Sequence, residues 1–235
     1  GTYAGVMEKI PYLKELGITA VELMPVTEFD EIMMSSSGSS FHNAKQEPTG
    51  YLNYWGYGPS YLYAVKTAYA SRETMSAEGE FKTLVKELHK AGIECIPEMY
   101  FTGKELPGEI LSVLRYWVEE YHVDGFHLTG FPDLSLAAED PFLKRTKLFA
   151  ENWNDVMNRR PKQGYVTPGD GAVSVEEKNL AEYNMQFMED MRRFLKGDEG
   201  MLSAFEFRNR RNPAEYAVID YMANTNGFTL MDTVS

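Results

Sequence analysis

At 235 residues, with 43% hydrophobic and 25% charged residues, the chain can enclose a sizeable core and lacks the low-hydrophobicity, high-charge balance of a disordered segment. Its formal net charge of −12 repels phosphate backbones and anionic lipid, so nucleic acid and membrane surfaces are excluded as expected partners and a neutral small molecule fits better. Cys95 is the only cysteine, which rules out an intrachain disulfide, and its place in an apolar run predicts a buried thiol, compatible with a cytoplasmic location.

From the N-terminus, Val6, Ile10, Leu13 and Leu16 recur at helical spacing until Gly17, and "ITAVELMPV" then reads as a short buried strand ended by Pro25. The segment from about 31 to 50, with "SSSGSS" at its centre, is too poor in apolar residues to pack and predicts a mobile loop. A helix with Phe81, Leu84, Val85 and Leu88 on one face stops at Gly92 and leads into the strand "IECIPEMYF". Pro97 cannot donate a ladder hydrogen bond, so a bulge or irregular pairing is expected in that strand. Pro107 opens a helix with Ile110, Leu114, Trp117, Val118 and Tyr121 as its stripe, delivering the chain to the strand "DGFHL". "TKLFAENW" reads as a strand, Asn179 to Lys196 as a helix ended by Gly197, and "AVIDYMA" as the last strand.

Strands alternating with amphipathic helices imply an α/β fold with parallel strands, in which ligand chemistry sits at the strands' carboxyl ends. There the segments "GTYAGVMEKIPYLKELGITAVELMPVTEFDE", "NYWGY", "EFKTLVKELHKAGIE", "DGFHL", "TKLFAENW", "MRRFLKGDEGM" and "NGFTLMDTVS", in this order, resemble the barrel of the α-amylase superfamily, in its isoamylase and glycogen-debranching branch. The resemblance covers nearly the whole chain. It implies a (β/α)8 TIM-type barrel occupying residues 1–235 as one partial domain, and enzymes that cleave α-glucosidic bonds, in this branch at α-1,6 branch points. Their retaining mechanism needs two carboxyl groups about 5 Å apart, one attacking the anomeric carbon and one protonating the leaving oxygen.

Several positions that the resemblance assigns to catalysis hold other residues. The family's fourth-strand Arg and nucleophilic Asp correspond to His127 and Thr129. A threonine hydroxyl cannot take over a carboxylate's stabilisation of an oxocarbenium-like centre, so the nucleophile is expected to be lost. The third-strand Asp, Asn and His correspond to Glu98, Thr102 and Gly103, and the His-Asp pair before "GFTL" corresponds to Thr225 and Asn226, which removes the third carboxylate. Glu151 keeps the acid/base position, with Trp153 after it; an exposed glutamate beyond a strand is an equal reading of Glu151. Tyr57 matches an aromatic that stacks on sugar in the family, with Tyr54 and Trp55 beside it, and filling of the barrel rim is an equal reading. The expected substrate contacts are therefore Tyr57, Trp55, His127, Glu98, Trp153 and Thr225.

No metal or other cofactor is expected, because the four histidines, His42, His89, His122 and His127, show no ligand spacing and no glycine loop suited to phosphate occurs. The family's first and eighth strands have no counterpart within 1–235, which predicts an incomplete barrel of about six strands, part of a longer protein or self-associating through its open edges. Three functions compete: a degenerate, catalytically silent debranching barrel that retains α-glucan binding; an active glycoside hydrolase using displaced carboxylates such as Glu98, Glu151 or Asp133; and a structural or interaction domain without sugar contact.

Overall fold

The computed structural model describes residues 1–34, 48–71, 76–130, 134–153, 179–213 and 216–224, in two compact units, Gly1–Leu148 and Phe149–Ser235. The class is α/β, with a parallel sheet of six strands whose order follows the chain.

In the first unit, helix α1 (Tyr3–Leu16) starts where the Thr2 side chain accepts from Gly5 N at 3.0 Å and ends at Gly17, whose φ of 82° lets the last carbonyls be capped. Strand β1 (Ala20–Leu23) follows. Two small antiparallel pairs come next, β2 (Thr27–Phe29) with β5 (Ser60–Val65) and β3 (Ile32–Met34) with β4 (Pro48–Leu52). The ends of the expected 31–50 loop thus form a ladder, and residues 35–47 lie outside the described residues. Helix α2 (Ala77–Lys90) is capped by Ser76 and carries Glu78 and Glu80 in its first turn and His89 and Lys90 in its last, matching the helix dipole at both ends. Strand β6 (Glu94–Tyr100), helix α3 (Pro107–Tyr121), strand β7 (Gly125–Thr129), the short helix α4 (Ser135–Glu139) and strand β8 (Lys147–Ala150) complete it, β8 passing into the second unit.

Strand β6 lies between β1 and β7, and its residues from Cys95 to Met99 are all buried, as expected of a strand covered on both faces. Towards β1 the irregularity expected at Pro97 does not occur, since Pro97 is in register with Leu23. Glu94 N donates to Thr19 O on one side of β6 and Phe101 N to Thr129 O on the other. Pro97 has Phe101's parity, so the donor it lacks would face β7, where Asp124 N bonds to Cys95 O at 3.0 Å before it and the register pairs run from Glu98 and His127 onward. The missing donor thus falls within a gap in the β6–β7 pairing, on the side where irregularity was expected.

Helices α2 and α3 bury their apolar faces together, with Phe81, Leu84, Leu88, Val113, Leu114 and Trp117 fully enclosed, each side chain contributing about 1.5–3 kcal/mol through burial. The Trp117 indole donates to Leu62 O at 2.7 Å and meets the Phe81 ring edge-on at 5.6 Å.

The second unit holds the end of β8, β9 (Leu180–Tyr183), helix α5 (Met185–Lys196), helix α6 (Met201–Asn209) and β10 (Ala217–Ile219), with β9 and β10 parallel. The helix expected from Asn179 thus begins instead at Met185, after a strand. Asn184 separates them: its side chain accepts from Phe187 N at 3.2 Å as the cap of α5 and donates to Asp220 at 2.8 Å. No helix among the described residues is long and apolar enough to cross a membrane.

Candidate functional site

Three adjacent strands of the first unit present polar side chains to one another. Glu98 on β6 is paired with His127 on β7, and Glu22 on β1 stands opposite Ile96, on the same face of the pleat as Glu98. The His127 ring reaches over the middle strand and its Nδ1 bonds to Glu22 Oε1 at 2.7 Å. Glu98, only 4% exposed, accepts from the Thr129 hydroxyl at 3.1 Å on one oxygen and from the Tyr57 hydroxyl at 3.3 Å on the other. Burial pushes its carboxyl above the usual carboxylate range and the Glu22 charge adds to this, while His127 and the two hydroxyls oppose it.

The backbone around the cluster depends on two glycines. Gly130, just after β7, has a φ of 67°, and a Cβ there would lie 1.9 Å from Phe101 O, so only glycine lets the ends of β6 and β7 approach so closely. Gly56 has a φ of 79°, and a Cβ there would lie 2.7 Å from the Phe29 ring; it sets the turn that carries the aromatic group. In that turn the Asn53 side chain accepts from Gly56 N and donates to Tyr57 O, both at 3.0 Å. Tyr57 is half-buried against Tyr100, with ring centroids 5.2 Å apart, whereas Tyr54 and Trp55 are 77% and 43% exposed and meet edge-to-face at 5.1 Å.

The structure therefore brings together Glu98, His127, Thr129 and Tyr57, four positions expected from sequence, with Trp55 in the adjoining turn. Glu22 was not expected. It is a glutamate inside the apolar run "VELMPV", and the only signal for it is that a charged side chain at that strand position must have a polar neighbour or water.

In the second unit, Glu151 is exposed directly after β8, and its charge adds to the burial that raises the Tyr221 hydroxyl's pKa. Trp153, expected as a substrate contact, is wholly buried; its backbone N donates to Glu182 at 2.6 Å and its indole to Ala181 O at 2.9 Å. Its ring offers no face to solvent here. Glu182, buried and unexpected from sequence, also forms an ion pair with Arg211, which in turn donates to the Tyr216 hydroxyl at 3.2 Å. Thr225, Asn226, Asp133 and His42 lie outside the described residues.

Glu22, Glu98 and His127 also offer oxygen and nitrogen donor atoms that all lie within 4.8 Å of one another, the one such grouping among the described residues. The histidine spacing in the sequence conceals it, because its members come from three strands, 76 residues apart from Glu22 to Glu98 and 29 from Glu98 to His127.

A parallel α/β sheet of this order, with its polar cluster on adjacent strands and an aromatic turn beside it, has the fold of part of a (β/α) barrel. The solved structures it resembles include the product complex of the multi-modular glycogen-degrading pneumococcal virulence factor SpuA (TM-score 0.67, 18% identity, 99% of this chain and 30% of that one) and apo pullulanase from Paenibacillus barengoltzii (TM-score 0.63, 16% identity, 99% and 46%). No family model matches the chain. Among curated proteins it is 31% identical to chloroplastic isoamylase 3 of Oryza sativa subsp. japonica, over all of this chain and 37% of the relative. It is 30% identical to the glycogen operon protein GlgX homolog of Haemophilus influenzae, over all of this chain and 42% of the relative. Its curated relatives are isoamylases and glycogen-debranching enzymes, so the similarity lies with the debranching branch of the α-amylase superfamily. The chain spans well under half the length of these relatives. The alignment to the rice protein runs over 316 residues against the 235 of this chain, so the relative also carries internal segments that this chain lacks.

Proposed function

We propose that the chain is a degenerate debranching-type barrel segment that does not hydrolyse α-glucan by double displacement and retains α-glucan binding through Tyr57, with Tyr54 and Trp55 as the exposed part of the same turn. The observation that carries this reading is Thr129. At the position that the resemblance gives to the nucleophile stands a neutral hydroxyl that donates to Glu98, and it lacks the negative charge that a carboxylate holds against an oxocarbenium-like centre. The relatives' names, isoamylase and glycogen debranching enzyme, support an α-glucan as the ligand class. An aromatic turn suits a neutral sugar on a chain of net charge −12, because stacking buries the sugar's C–H surface without requiring charge on the protein.

Reducing-sugar release from glycogen and pullulan, measured alongside retardation in glycogen-containing native gels, tests the proposal. Retardation without turnover is expected. A second reading, active hydrolysis by displaced carboxylates, is favoured by one observation: Glu98 is buried with a raised pKa, as a general acid requires. Turnover that survives Thr129→Ala and disappears in Glu98→Gln or Glu151→Gln would replace the first reading with the second. Absence of both turnover and retardation would leave a structural domain.

A further inference from the structure

The cluster of Glu22, Glu98 and His127 bears on charge as well as on sugar. Two carboxylates and one imidazole converge from three neighbouring strands, with their donor atoms within 4.8 Å. Glu98 is 96% enclosed, and the groups that favour its charged form are one imidazole and two hydroxyls, with no lysine or arginine among them. A buried carboxylate beside a second carboxylate is costly unless positive charge is held close to both. The resemblance puts an arginine at the position of His127; an imidazole there brings less charge and adds a nitrogen donor.

We propose that Glu22, Glu98 and His127 form a binding site for one first-row divalent cation of the Zn2+ type. The donor set is mixed nitrogen and oxygen, which suits Zn2+ and its neighbours, whereas Ca2+ and Mg2+ favour shells made of oxygen alone. With metal–ligand bonds of about 2.0–2.1 Å, tetrahedral donors stand about 3.3 Å apart. The His127 Nδ1 to Glu22 contact of 2.7 Å has to open slightly, and all three donors lie within 4.8 Å of one another, both within reach of side-chain rotation. Three protein ligands leave a fourth position for water. Glu22 lies at the exposed end of the set and Glu98 at the buried end, so the cation enters past Glu22 and is fixed by Glu98. The Thr129 hydroxyl holds the Glu98 carboxylate from behind, in the manner of groups that orient metal ligands. Metal titration in the absence of glucan reads this site apart from the proposed sugar contact, although the Tyr57 hydroxyl also donates to Glu98.

The test is titration of the chelator-treated protein with ZnCl2 by calorimetry, and with Co2+ by visible absorption. One equivalent is expected to bind, with Glu22→Gln and His127→Ala each weakening it at least about tenfold. His122→Asn, at an exposed position at the end of α3, is expected to leave binding unchanged. His127→Ala is expected to abolish the imidazole-dependent Co2+ absorption. If that variant fails to fold by circular dichroism, Glu22→Gln, a conservative change at an exposed side chain, decides the matter alone. Absence of stoichiometric binding, or binding of wild-type strength in Glu22→Gln, overturns the proposal.

Discussion

Replacing Tyr57 by Ala and, separately, by Phe divides ring from hydroxyl in the proposed sugar contact. The ring packs on Tyr100 at a centroid distance of 5.2 Å and is half-buried, so one face is committed to protein and the remainder is open to a ligand. Aromatic contacts of this kind contribute about 0.5–1.5 kcal/mol beyond area burial, so loss of the ring should weaken glucan binding about 2- to 12-fold. The hydroxyl donates to Glu98 at 3.3 Å, which is long for an O–H donor and belongs at the low end of the usual 0.5–1.5 kcal/mol. Tyr57→Phe should therefore bind within about 2-fold of wild type. Calorimetry with maltoheptaose, with near-ultraviolet circular dichroism as a folding control, measures both variants. Wild-type affinity in Tyr57→Ala would refute a sugar contact at this ring. Equal losses in the two variants would show that the hydroxyl and Glu98, not stacking, hold the ligand.

Gly130→Ala places a Cβ 1.9 Å from a backbone oxygen at a φ of 67°, so the ends of β6 and β7 must separate; a cost above about 2 kcal/mol is expected, and an unchanged thermal midpoint would contradict the close approach. Glu98 has a folded pKa above its unfolded value, so its contribution to stability is fully present below the unfolded pKa and is lost as pH rises through the folded one. Urea midpoints between pH 4 and 8 should thus fall more steeply with rising pH in the wild type than in Glu98→Gln, by about 1.4 kcal/mol for each pH unit between the two pKa values; parallel profiles would be inconsistent with a destabilising buried charge. Burial pushes the Cys95 thiol up to about 12, so iodoacetamide should leave it unmodified in the native protein and label it on denaturation; rapid native labelling would contradict the enclosed β6.

The fold class was legible because the sheet and its flanking helices obey different periods. Leu84, Val85 and Leu88 at helical spacing, followed by the continuous run from Ile93 to Phe101, leave little choice but helix then covered strand. Strand β9 was not legible, since Leu180, Tyr183 and Phe187 continue into α5 at spacings that also suit a helix; Asn184, a good capping residue, was the local mark of the boundary. The effect of Pro97 depended on where β7 begins relative to β6, a register that one sequence does not contain. At the site, His127 and Thr129 stood out by differing from a familiar pattern. Glu22 had no pattern to differ from, and only cross-strand adjacency made it their neighbour. Trp153 shows the opposite case: its position in a motif suggested a ligand, while its indole bond to Ala181 O belongs to the interior.

The bond from Thr129 to Glu98 also bears on the reversibility of the proposed loss. An aspartate restored at residue 129 would bring a second carboxylate close to an oxygen that the present hydroxyl meets at 3.1 Å, and two acids at that separation hold a proton between them instead of both ionising. A protonated aspartate is a poor nucleophile, so the single back-substitution would carry no immediate benefit. Selection would have to change Glu98 first or at the same time, and Glu98 is held by Tyr57 as well. Under the proposed loss, the Thr129 hydroxyl acts as a ratchet, because an aspartate at residue 129 would have to share its proton with Glu98.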